Sequence, residues 1–144
     1  MRLTLPQPFE DLDHTADAGV RVTGASAGDA LARLVLALGA LLSGGAPVAE
    51  EREVALEVAG GPDLAGAAVA LLREVLYRCE VERALPAACE VLRVDAAGAA
   101  ARVWLGRRGP AHDGGLDVKA VTRHAAALEQ DADGGWIGQA VFDL

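Results

Sequence analysis

The sequence predicts an α+β fold, a mostly antiparallel β-sheet with two amphipathic α-helices packed on it. Two stretches, 31–42 and 64–79, repeat apolar residues at helical spacing. Other stretches alternate in polarity, and the last four or five follow one another through short turns, which pairs strands antiparallel. With 144 residues, 52% of them apolar, the chain is long enough to bury one core in a single domain over 1–144.

The elements follow in order. Residues 18–23 alternate small or apolar side chains with Arg21 and read as a strand. Ser26 opens the first helix, with Asp29 three residues on in the manner of a capping box. Leu31, Leu34, Val35, Leu38, Leu41 and Leu42 form its apolar face, and Gly44 ends it. Residues 53–58 alternate as a half-buried strand. Gly60, Gly61, Pro62 and Asp63 lead into the second helix, whose buried stripe is Leu64, Ala68, Leu71, Leu72, Val75, Leu76 and Cys79. Strands at 90–94 and 99–105 flank a turn at 95–98. A long extended segment covers 118–129, Asp131 to Gly135 turn the chain, and a final strand runs over 136–144. Strand–helix–strand occurs twice, which suggests a duplicated β-α-β unit.

The formal net charge is −8. A nucleic-acid backbone needs a Lys/Arg footprint, so direct nucleic-acid binding is not expected. Acidity suits cation binding and docking onto a basic protein partner. Cys79 and Cys89 lack metal or disulfide spacing and read as buried reduced thiols. No segment has the length of a membrane span or the pattern of a signal peptide, so a cytoplasmic protein is expected.

One polar cluster stands out: Asp13, His14, Thr15, Ala16 and Asp17. Its carboxylates suit a hard cation, which wants several oxygen ligands, or they cap a turn. Asp143 and the α-carboxylate of Leu144 add donors if the apolar last strand docks beside Asp17. Carboxylates that close do not all stay ionised without a cation between them. In 118–124, strand alternation puts Lys119, Val121 and Arg123 on one face and Ala120, Thr122 and His124 on the other. His112 lies in a polar loop and reads as exposed. No zinc-ligand spacing, phosphate loop or nucleophile elbow occurs. Asp131-x-Asp133-Gly134 is a hairpin turn rather than a calcium loop, because Phe142 stands where the loop needs Glu.

Three motifs in order, residues 13–17 (DHTAD), 118–122 (VKAVT) and 141–144 (VFDL), resemble the archease family over nearly the whole chain. The resemblance implies an accessory protein, not an enzyme. Such a protein promotes guanylylation and multiple turnover of a GTP-dependent RtcB-type RNA ligase in tRNA splicing or RNA repair. It further implies a divalent cation, calcium, on Asp17, Asp143 and Leu144, with Asp13 next to them. His14, Lys119, Thr122 and His124 are then expected around that site or facing the partner. The chain departs from the family at Leu71-Leu72, where a Trp-Leu pair is usual. It also departs at Gly106-Arg107, where Gly-Glu is usual, and at Arg123, where an aromatic is common. Two other functions compete with this reading. A metal-dependent phosphoester hydrolase would use His14 or His124 as base, and a chaperone-like binding module would show a large apolar patch.

Overall fold

We describe residues 1–13 and 17–144 of a computed structural model, Asp13 by its backbone alone. The strands are β1 (Leu3–Thr4), β2 (Glu10–Asp13), β3 (Asp17–Gly24), β4 (Arg52–Ala59), β5 (Ala84–Asp95), β6 (Gly98–Arg107), β7 (Ala120–Gln130) and β8 (Trp136–Asp143). The helices are α1 (Ala27–Ser43) and α2 (Leu64–Glu82). Local chemistry sets their ends. The Ser26 hydroxyl accepts from the Asp29 N–H at 3.0 Å, and Gly44 closes α1 at φ 67°. Asp63 caps α2 by accepting from the Gly66 N–H at 2.8 Å.

The strands form two antiparallel sheets, in the orders β1-β5-β6-β4 and β2-β3-β8-β7, not the single sheet that the sequence suggests. Both helices pack against both sheets, so the layers run sheet, helices, sheet. This explains α1. Its apolar residues were expected on one face, yet Leu36, Ala32 and Ala37 are also fully buried. Leu34 meets β8, where a Cβ on Gly138 would come within 2.9 Å of it. On the other side Gly39 lies against β5, where a Cβ on it would come within 3.0 Å of Pro86. A helix between two sheets needs apolar residues all round.

Of the two strand–helix–strand segments, β4–α2–β5 stays within one sheet with β6 between its strands. The other, β3–α1–β4, passes from one sheet to the other. Strand β5 begins six residues before the expected 90–94 segment and carries Pro86, which a bulge between Pro86 and Ala88 accommodates. The short strands β1 and β2 were not expected from the sequence at all; the prolines at 6 and 8 hide them.

Candidate functional site

Strand β8 lies inside its sheet, paired with β3 on one side and β7 on the other. Ala140, Val141 and Phe142 are buried to 1% exposure or less. Burying a phenylalanine side chain contributes roughly 1.5–3 kcal/mol, and the two ladders hold the strand along its length. The last strand is therefore docked rather than frayed, as its apolar residues suggest.

Docking fixes the register. Asp17 is the direct ladder partner of Asp143, followed by Ala18 with Phe142 and Gly19 with Val141. Directly opposite residues in an antiparallel pair have Cβ atoms about 4.5–5.5 Å apart and share a face. Calcium takes carboxylate oxygens at about 2.3–2.6 Å, so one ion can be reached from both sides of such a pair. Asp17 is half-buried, Asp143 exposed and Leu144 43% exposed, so the corner opens to the surface. Among the described residues no three His, Cys, Asp or Glu side chains gather as a metal cluster. A third oxygen donor at this corner would be the α-carboxylate of Leu144.

The remaining expected residues are only partly gathered. The Lys119 N–H donates to the Asp143 carbonyl at 2.8 Å. Lys119 itself lines a cleft against α2, with Arg73, Tyr77 and Glu80. Alternation places it on the face opposite Asp143, because Ala120 is the ladder partner of Asp143. Thr122 pairs with Val141 and so lies diagonal to Asp143 on the same face.

The expected alternation fails just beyond Thr122. The ladder jumps from Thr122 with Val141 to Ala127 with Gln139, leaving four residues on β7 opposite Ala140. Ala125 takes φ 56°, and the Gln139 side-chain amide donates to its carbonyl at 2.9 Å. The His124 N–H turns back to the Thr122 hydroxyl at 3.1 Å, and His124 is exposed. His124 therefore leaves the ladder, and strand alternation no longer assigns its face. The residues His14, Thr15 and Ala16 lie outside the described residues, as does the Asp13 side chain.

His112 corrects a second expectation, for it is only 6% exposed. Its Nδ1 accepts from the Gly109 N–H at 3.0 Å and its Nε2 lies 2.9 Å from the Pro47 carbonyl. With Nδ1 accepting, Nε2 carries the proton and donates to Pro47. The signal was a glycine three residues before the histidine, with Pro110 starting the short turn Pro110–His112. We expect His112→Ala to cost about 1–3 kcal/mol, since two inward polar groups lose their partner; a chemical denaturation curve measures it.

The thiols are not candidates for chemistry. Burial pushes Cys79 and Cys89 up to about 12, so neither is a thiolate near neutral pH. Arg107, where the family resemblance leads one to expect an acid, reaches Glu51 at 4.0 Å. No helix among the described residues is long and apolar enough to cross a membrane.

Comparison with known proteins gives a consistent result. Residues 9–144 match the Archease protein family (MTH1598/TM1083). The chain is similar to "Protein archease" of Methanopyrus kandleri, at 34% identity over 144 residues, covering 95% of this chain and 99% of that one. It is also similar to "Protein archease" of Pyrococcus furiosus, at 28% identity over 140 residues, covering 94% and 98%. The fold resembles the solution structure of Methanobacterium thermoautotrophicum protein 1598, with a TM-score of 0.70, 21% identity, and 94% and 98% of the two chains covered. It likewise resembles the crystal structure of an archease, described as a possible chaperone, from Thermotoga maritima. There the TM-score is 0.60, the identity 18%, and the coverage 97% and 98%.

Proposed function

The chain belongs to the archease family, and from that membership we propose that it promotes guanylylation and multiple turnover of a GTP-dependent RtcB-type RNA ligase. The ligase would join RNA ends in tRNA splicing or repair, and this protein would not perform the ligation. The observation that best supports a role for the motif residues is the ladder pairing of Asp17 with Asp143 at an open corner beside the C-terminus.

In this proposal Asp17, Asp143 and the α-carboxylate of Leu144 hold a hard divalent cation, calcium as the family resemblance implies. Bound there, the cation would neutralise phosphate charge in the ligase's nucleotide site. The chain's own residues do the rest. Strand β8 holds Asp143 rigid through Phe142, and the Lys119 N–H fixes the Asp143 carbonyl. An exposed Asp143 suits delivery to a second protein better than chemistry in a closed pocket. The net charge of −8 fits a protein that meets the ligase and leaves the RNA to it.

Mixing ligase, GTP and this protein, and following guanylylated ligase over time, tests the role. Faster accumulation is expected, and an unchanged rate overturns it. A second result follows from the terminal donor. A short Gly-Ser extension after Leu144 is expected to weaken calcium affinity about tenfold or more by calorimetry, although Asp17 and Asp143 are untouched. Equal affinity would remove Leu144 from the site.

A further inference from the structure

The exposed side of α2 presents two unlike stripes. Along one, Arg78 lies 3.5 Å from Glu74 and 3.3 Å from Glu82, and Glu82 also pairs with Arg52. Those charges satisfy one another. Along the other, Tyr77 is 58% exposed and Val81, one turn on, is 62% exposed. Tyr77 is the single tyrosine of a chain that is only 3% aromatic. Leaving it in water forgoes the burial that aromatic side chains ordinarily contribute.

This stripe borders a cleft of about 280 Å³ between α2 and β7, lined by Arg73, Leu76, Tyr77, Glu80, Lys119 and Val121. Arg73 is anchored, its Nε donating to the Val121 carbonyl at 3.0 Å. Among the described residues no ion pair engages Arg73, Glu80 or Lys119. Two cations against one anion make this a locally positive cleft on an acidic protein. The carboxylate corner lies across the edge strand β7: Ala120 borders the cleft and is the ladder partner of Asp143, whose side chain is on the other face of the sheet.

We infer that the α2–β7 cleft, with Tyr77 and Val81 on its rim, is the docking surface for the ligase, and that it takes an apolar segment carrying a carboxylate. The inference rests on the function proposed above. Its parts divide as protein interfaces do. An exposed aromatic and an aliphatic residue supply the apolar contact, and Arg73 and Lys119 steer and register the acidic group. A ligase docked here and reaching round the β7 edge of the sheet would meet Asp17 and Asp143 on the opposite face, which separates binding from the step the carboxylates assist.

The test is a titration of ligase and GTP with wild type, with the Tyr77→Ser/Val81→Ser double variant, and with Arg78→Ser from the ion-paired stripe as control. The double variant is expected to raise the concentration for half-maximal guanylylation about tenfold or more, with the plateau and melting temperature unchanged. Arg78→Ser is expected to leave both parameters near wild type. An unchanged half-maximal concentration for the double variant, with wild type stimulating normally, overturns the docking surface and leaves the proposed function standing. A wild-type dimer that the double variant abolishes also overturns it, since a second copy is then the occupant. If wild type does not stimulate at all, the proposed function fails and the inference falls with it.

Discussion

Asp143→Ala is expected to return ligase guanylylation to the rate of the ligase alone. The variant loses one of the two carboxylates that face each other across the β3–β8 ladder. Calcium affinity should fall at least about 10–100-fold, the range seen even for residues that only orient metal ligands. The fold should not suffer. Asp143 is exposed, and exposed substitutions away from special features usually change stability by about 0.5 kcal/mol or less. Removing one of two like charges placed directly opposite even relieves repulsion in the cation-free protein. A thermal melt separates these effects. Without calcium the variant should melt at or above wild type. With calcium at about 100 times its dissociation constant, wild type should gain roughly 2.7 kcal/mol and the variant should gain nothing comparable. A variant that melts with wild type and gains the same stabilisation from calcium would remove Asp143 from the cation site.

Leu36→Ala is expected to give the largest loss of stability among the changes considered, about 2–5 kcal/mol. Leu36 is fully buried, and it sits about 200° of helical rotation from Leu34, which faces β8. A helix lying on one sheet would leave such a position wet, and the substitution would be nearly neutral. Between two sheets it opens a cavity. At about 2–4 °C per kcal/mol for a chain of this size, the melting temperature should drop by roughly 4–20 °C. A shift under 1 °C would contradict the sheet–helices–sheet arrangement.

Leu36 also marks where reading the sequence stops. Both helix starts and the end of α1 were legible because Ser26, Asp63 and Gly44 act locally on neighbouring backbone groups. Amphipathic spacing located both helices, and the stripe assigned to α2 rightly left Tyr77 and Val81 outside it. What lay beyond local signals was the second sheet. Spacing shows that a face is apolar, yet a helix of mostly Leu, Ala and Val is apolar on every side, so it does not say how many layers cover it. The proline in β5 and the bulge in β7 were hidden for a related reason. Each is tolerated by partners far away in sequence: the register shift opposite Leu105 and Trp104 for Pro86, and the Gln139 amide for Ala125.

At the candidate site, the apolar character of Val141 and Phe142 made a docked terminus readable. Family resemblance singled out Asp17, Asp143 and Leu144, and their register is a tertiary fact that no spacing of 126 residues encodes locally. Alternation does not place His124, because it assumes an unbroken strand and the β7 bulge begins one residue before it.

The most direct test of the central claim is the number of RNA joins made per ligase molecule. Ligase, GTP and RNA with a cyclic-phosphate or 3′-phosphate end and a 5′-hydroxyl end are incubated with and without this protein, ligase being limiting. The account predicts that joined product rises well above one per ligase only when the protein is present. Equal product per ligase in both reactions would contradict it.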